Sequence, residues 1–499
     1  MKKSYLLLAL SGVLFSCTDS NELDEMVVES NPQSRAWYSN EFIVNWNDTQ
    51  QTLDGFGVAE ADVANQIFAH PKRDEIMGQL FGEEGLNVNI LRGEVYPHYS
   101  MNPEDMDFET DANIDIQPGD PYFASADENE LRRRSQLWIS KQAQQVYGVD
   151  KLFFSTWSAP AWMKEGNQVN EPFIASHGYV KPEHYQTFAD YLASFVEAYK
   201  KVGLDIYAIS PVNEPNYEAN WNSCIWKEAQ LADFIANHMG PTFQQRGVNS
   251  EIIFGELAQW STLVLGAFNK VSSKKYVENV LDANPDVAKY AKIGAGHGYN
   301  IPVVPYEFPI VEYDKAKQKG LEKVWLTEIS TALDNYDPSM KNGIHWAEVL
   351  HKYLMNAKVN AFCWWNGARI TSTNESMIQL TQDDYSLPRR FFTYGNYTKF
   401  IKPGSQFMSV KRQKGMSPSL LITSAKMGNE YVVVAVNKTL VDITTTMKLK
   451  DAETAGNLKS YTTDKENAWV EGAVSRASDG SFSLTVPPMS VVTYVGTVK

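Results

Sequence analysis

The sequence predicts an α/β fold: a (β/α)8 TIM barrel followed by a smaller β-sandwich. Three observations predict it. Up to Pro403-Gly404, short apolar strands alternate with helix-length amphipathic segments, the pattern of a parallel sheet whose crossovers are helices. Beyond that dipeptide, short alternating strands separated by Gly and Ser turns take over, as in a sandwich. Two apolar strands, 206–210 and 323–327, lead into single glutamates, Glu214 and Glu328. A barrel gathers the C-terminal ends of its strands on one face, so glutamates far apart in sequence would meet there.

The chain opens with Lys2 and Lys3 before an apolar run, Tyr5 to Leu10, that continues to Phe15-Ser16-Cys17. The run is too short to span a bilayer and reads as an export signal. Leu14-Phe15-Ser16-Cys17 is similar to a bacterial lipobox, which makes 1–17 a lipoprotein signal and Cys17 the lipidated residue. Residues 18–36 are acidic, polar and without periodicity, as expected of a flexible tether. The expected location is the outer membrane or cell surface, otherwise the periplasm or medium. No later apolar run reaches the roughly 18 residues of a membrane span, so the lipid is the expected membrane contact.

Residues 37–50 hold a lone strand, Glu41 to Trp46, with no hairpin partner nearby, and it is expected to cross over to the C-terminal sheet. The barrel domain is placed at 51–404, with strands at 53–57, 88–92, 152–156, 206–210, 252–255, 292–295, 323–327 and 361–365. Among the segments between them, 184–201 carries Phe188, Tyr191, Leu192, Phe195 and Tyr199 at helical spacing, a packing stripe. The sandwich is placed at 405–499, with strands at 420–423, 431–437, 444–449, 481–486 and 490–495.

A formal net charge of −15 argues against any partner bound through a phosphate backbone, so no nucleic acid is expected. Thirteen Trp and 25 Tyr fit stacking on sugar rings, although most must serve the cores. Besides Cys17 only Cys224 and Cys363 remain; they are numerous enough for one disulfide, but Cys363 lies in an apolar strand and reads as a small core residue. Neither CxxC nor HExxH spacing occurs, so no metal and no cofactor are expected. The insertion 101–127 is rich in carboxylates, including Asp105, Asp107, Glu109, Asp111 and Asp115. It lacks the glycine-hinged spacing of a calcium loop and reads as a solvated loop above the barrel mouth.

Asn213-Glu214-Pro215 is not specific by itself, because Asn170-Glu171-Pro172 repeats it. Glu214, however, follows the apolar strand Ile206-Tyr207-Ala208-Ile209, whereas Glu171 follows a polar loop. Two carboxyl groups about 5 Å apart are what retaining hydrolysis of a glycosidic bond requires, one to protonate the leaving oxygen and one to attack the anomeric carbon. Glu214 is assigned as acid/base and Glu328 as nucleophile, with Asn213 placed to bond the sugar 2-hydroxyl. Glu94 and Glu256 also follow strands and rank below this pair.

Phe154 to Lys164, Tyr207 to Pro215, Ser223-Cys224-Ile225-Trp226, Gly296-His297-Gly298-Tyr299, Trp325-Leu326-Thr327-Glu328 and Ala361 to Trp365 together resemble glycoside hydrolase family 30, and within it the bacterial glucuronoxylanases. The resemblance covers nearly everything after residue 40. It implies a barrel with a side-associated β-sandwich built from both chain ends, a retaining mechanism, the same two glutamates, and sugar subsites lined by Trp162, His297, Tyr299 and Trp365. It further implies that Arg369, which follows Trp364-Trp365-Asn366-Gly367-Ala368, reads the carboxylate of a methylglucuronic acid branch. The segments after Glu328 and after Arg369 lack the tyrosines and serine that usually assist.

The expectation is a monomeric endo-β-1,4-xylanase acting on glucuronoxylan. The alternatives are another β-glycanase of the same family, such as a β-1,6-glucanase or a glucosylceramidase-like enzyme, and a non-catalytic surface glycan-binding lipoprotein.

Overall fold

The computed structural model describes residues 41–61, 63–99, 116–170, 178–261, 272–299, 309–413 and 415–499. The export signal, Cys17, the tether, Glu171 and most of the acidic insertion lie outside them. The described end of that insertion forms a short helix, Tyr122–Ser125, and supplies Asp127, which caps the helix Glu128–Lys141 by accepting from the amides of Asn129 and Glu130. Among the described residues no helix is long and apolar enough to cross a membrane.

Eight parallel strands close into a barrel: Gly55–Ala59, Ile90–Glu94, Lys151–Ser155, Ile206–Ser210, Glu251–Gly255, Ile293–His297, Lys323–Glu328 and Ala361–Trp365. The eighth strand pairs with the first in register from Ala361 opposite Gly55 to Trp365 opposite Ala59. Inside sit Ile90, Phe153, Ala208, Ile253, Ile293, Ala295, Trp325, Ala361 and Cys363, a packed cluster that fills the lower barrel. Tyr207 stacks on Trp325 from below, their ring centroids 5.7 Å apart. Alternate residues of the same strands, such as Leu91, Leu152, Phe254 and Leu326, face outward into the larger core beneath the helices. Helix Tyr185–Lys201 buries the aromatic stripe read from its spacing. Cys224 and Cys363 are both buried and free.

The second layer is a single nine-stranded sheet that folds over on itself to form the sandwich. It runs in the order Val470–Val474, Leu458–Thr463, Ser490–Thr497, Glu430–Asn437, Leu420–Met427, Gln406–Arg412, Glu41–Thr52, Ile443–Lys450, Phe482–Val486. An isolated bridge between Arg476 and Phe482 joins the two ends. Glu41–Thr52 pairs antiparallel with Gln406–Arg412 and parallel with Ile443–Lys450, so the chain's N-terminal strand lies within the C-terminal sheet.

Strand Glu430–Asn437 explains the attachment to the barrel. Tyr431, Val433 and Ala435 point into the sheet's own core, whereas Val432, Val434 and Val436 join the barrel's core. A strand buried on both faces reads as a continuous apolar run, and this one does. Helices Met340–Lys352 and Arg389–Thr398 lie in that interface, where Asn396 bonds Thr493 and His351 bonds Thr423.

Candidate active site

Within the second barrel strand Ile90 faces the packed interior, so Arg92, two residues on, faces the same way one layer higher. It is completely buried there. Its Nη1 donates to Glu328 Oε2, and its Nη2 donates to Asn213 Oδ1 at 2.8 Å, Glu256 Oε1 at 3.1 Å and Ser155 Oγ at 3.3 Å. One guanidinium fork therefore ties the ends of the third, fourth, fifth and seventh strands together. Trp157 covers its face, 4.7 Å from ring centroid to guanidinium carbon, and Trp157 in turn lies against Trp365.

Glu328 reaches the cleft through a local irregularity. Opposite the sixth strand the register slips between Gly296 paired with Leu326 and His297 paired with Glu328, leaving Thr327 as an extra residue. Simple alternation after inward Trp325 would turn Glu328 outward; the extra residue returns it to the inside. Its second oxygen, Oε1, accepts from the Tyr299 hydroxyl at 2.7 Å. Both oxygens thus have donors, which fixes the carboxylate's orientation.

Glu214 and Glu256 are held in the left-handed region, at φ 44 and 49. Such a conformation is costly for a residue with a side chain and persists where the surroundings impose it. Here the Glu214 amide donates to the Glu256 carbonyl, and the Glu256 amide to the Ala295 carbonyl, both at 3.0 Å.

His297 stands among three carboxylates. Its Nδ1 lies 3.1 Å from Glu214 Oε1 and 3.8 Å from Glu328 Oε1, and its Nε2 lies 3.7 Å from Glu256 Oε1, an ion-pair distance rather than a hydrogen bond. Burial disfavours the cation, but the charge of Glu328 and the contacts with Glu214 and Glu256 outweigh it and raise the His297 pKa to about 9. Burial likewise opposes the Glu256 anion, and Arg92 and His297 outweigh it, lowering that carboxyl to about 2. One oxygen each of Glu214 and Glu328 and a ring nitrogen of His297 all lie within 4.8 Å of one another. Groups this close have the spacing to hold a metal ion, and the raised pKa of His297 means that a metal there would compete with a proton for its lone pair.

Of the residues singled out from sequence, Glu214, Glu328, Asn213, His297 and Tyr299 converge at this point, with Trp365 reaching it through Trp157. Trp162, on the turn after the third strand, exposes 48% of its surface and packs edge-on to His184. Arg369 is engaged elsewhere: its Nη1 lies 3.4 Å from Glu375 Oε1 and 3.3 Å from Asn366 Oδ1. The competing glutamates have other partners. Glu256 is fully buried between Arg92 and Ser155, and Glu94 accepts from Asn222. Arg92 and Trp221 escaped the sequence reading; the signal for Arg92 was an arginine directly after the apolar pair Ile90-Leu91 of a barrel strand. Trp221, 55% exposed, leans on Tyr217 in the loop after Glu214.

A closed (β/α)8 barrel with two glutamates, an asparagine, a histidine and tryptophans at its C-terminal mouth defines a glycoside hydrolase. Residues 53–301 match the glycosyl hydrolase family 30 TIM-barrel domain, and the chain belongs to glycoside hydrolase family 30. It is 24% identical over 381 residues to the glucuronoxylanase XynC of Bacillus subtilis, covering 74% of this chain and 78% of that protein. It is 22% identical over 381 residues to the endo-1,6-beta-D-glucanase neg1 of Aspergillus fumigatus, covering 71% and 72%. The catalytic domain of xylanase C from Talaromyces cellulolyticus superposes with a TM-score of 0.72 at 22% identity, over 92% of this chain and all of that one.

Proposed function

We propose that this protein is a retaining endo-β-1,4-xylanase that cleaves the backbone of glucuronoxylan by double displacement. The observation that carries the mechanism is the separation of Glu214 and Glu328, with oxygens within 4.8 Å. Retaining enzymes hold their carboxyl groups about 5–5.5 Å apart, whereas inverting ones leave about 6.5–9.5 Å for a water. The substrate class is supported by the likeness to XynC.

In the first step Glu328 attacks the anomeric carbon as the glycosidic bond breaks, and Glu214 delivers its proton to the departing oxygen. In the second, the Glu214 carboxylate takes a proton from water, which attacks the same carbon and frees Glu328. Arg92 and Tyr299 keep the Glu328 oxygens aimed without moving during reaction, which is the economical way to stabilise developing charge. Asn213 accepts from Arg92 through Oδ1, leaving Nδ2 as the end that donates to the sugar 2-hydroxyl. Two cations, Arg92 and His297, balance Glu256 and Glu328, so the cluster is neutral when Glu214 carries the proton it must donate. The exposed tryptophans Trp162 and Trp221 serve as stacking faces for neighbouring sugars.

We place the enzyme, as a monomer, on the cell envelope through a lipid on Cys17. Neither nucleic acid nor cofactor enters this scheme.

Product analysis by mass spectrometry on glucuronoxylan, arabinoxylan and β-1,6-glucan tests the reading. Xylo-oligosaccharides from the first two support it. Release of gluco-oligosaccharides alone would move the chain to the β-1,6-glucanase branch, and no reducing ends from any glycan would leave a binding protein.

A further inference from the structure

Arg369 ends a short strand, Ala368–Arg369, that pairs parallel with Ile378–Leu380, and the segment connecting them, 370–377, stays beside it. That connecting segment carries Glu375. Its Oε1 lies 3.4 Å from Arg369 Nη1, and its Oε2 lies 3.3 Å from Thr371 Oγ1 and 3.1 Å from Thr373 Oγ1. The two hydroxyls lie 2.8 Å apart, so their two protons serve two of these three contacts, and the Glu375 carbonyl accepts from Trp364 Nε1 at 2.7 Å. Glu375 is the more buried partner, with 15% of its side chain exposed against 26% for Arg369. The backbone just before the guanidinium is itself pinned, the Ala368 amide donating to Glu60 at 3.0 Å.

We propose that Glu375 is a specificity-determining residue: it occupies Arg369 from within the chain, so that the enzyme cleaves xylan without reading the carboxylate of its glucuronic acid branches. The inference rests on the xylanase reading above and narrows its substrate to the neutral backbone. An incoming carboxylate must displace one that is tethered six residues away, and a tethered competitor acts at a high effective concentration. It must also approach the like charge of Glu375, which repels it. Arg369 without Glu375 would be a guanidinium at the mouth, suited to a substrate carboxylate; with Glu375 it becomes a brace for the loop after the eighth strand.

The test uses glucuronoxylan and the same polymer after chemical reduction of its uronic acids to alcohols, which removes only the charge. Wild type should hydrolyse both with equal kcat/KM and leave branches at varied positions in its products. Glu375→Gln should raise the ratio of native to reduced polymer by about tenfold, the gain of one charge-assisted contact. Arg369→Ala, which needs no folding of the Glu375 variant, should leave the ratio at its wild-type value. A wild-type preference for the native polymer, abolished by Arg369→Ala, overturns the inference while leaving the xylanase reading intact. Failure of wild type to cleave either polymer defeats the xylanase reading and takes this inference with it.

Discussion

Replacing Glu256 with glutamine removes one charge at the centre of the site and keeps its shape. Burial pushes this carboxyl up from its ordinary 4.5, yet Arg92 and then His297 bring it to about 2. Each pKa unit is worth about 1.4 kcal/mol, so the ionised group contributes on the order of 3 kcal/mol to folding. That is also the low end of the cost of breaking a buried ion pair by removing one member, about 3–5 kcal/mol. Glutamine still accepts from Ser155 but leaves Arg92 with Glu328, and His297 with Glu214 and Glu328, as their remaining carboxylates. The sign follows from a depressed carboxylate: the stabilisation is complete above 4.5 and is lost as pH falls towards 2. Urea unfolding at pH 7 should therefore show the variant less stable by about 3 kcal/mol, with the gap narrowing as pH is lowered below 4.5. His297 provides a second readout, because it loses one of the anions that raise it to about 9. Its contribution to stability is full below 6.5 and is lost as pH rises through 9, so the variant should lose stability and kcat/KM at a lower alkaline pH than wild type. An unchanged unfolding free energy at pH 7, within about 0.5 kcal/mol, together with an unmoved alkaline limb would refute the charge balance assigned to this cluster.

Glu328→Gln should abolish turnover of polysaccharide and aryl glycoside alike, whereas Glu214→Ala should spare the first step for aryl glycosides whose leaving groups need no proton, read as a burst of released phenol. Equal loss on both substrate types for Glu214→Ala would reverse the assignment. Trp162→Ala removes an exposed stacking face and should raise KM on long xylo-oligosaccharides by about three- to tenfold, the equivalent of roughly 0.5–1.5 kcal/mol, with kcat on short aryl glycosides retained. Cys17→Ala should move the protein from the membrane fraction to the soluble one with its specific activity intact; a wild type already soluble without proteolysis would rule out the lipid.

How much of this was legible in sequence depended on burial. All eight barrel strands stand out because parallel strands are covered on both faces and read as apolar runs, as Ile206–Ser210 and Ala361–Trp365 do. Three strands of the sheet did not. Val470–Val474 is an exposed edge, Leu458–Thr463 is mostly polar, and Gln406–Arg412 buries only Phe407 and Met408 fully before turning to solvent. Glu214 and Glu328 could be picked out because each follows an apolar strand. The bulge that turns Glu328 inward depends on the pairing of two strands and has no local signature. Arg92 escaped notice because its four partners, Ser155, Asn213, Glu256 and Glu328, come from four distant segments. Glu375 likewise gains meaning only when the segment 370–377 brings it beside Arg369.

The central claim is the division of labour between two closely spaced glutamates, and the anomeric form of the first product tests it most directly. Proton NMR of xylo-oligosaccharide hydrolysis, followed from the first minutes, should show the β-anomer of the new reducing end appearing first, with the α-anomer growing in later by mutarotation. Early appearance of the α-anomer would mean inversion by a single displacement, and Glu328 would then not be the nucleophile.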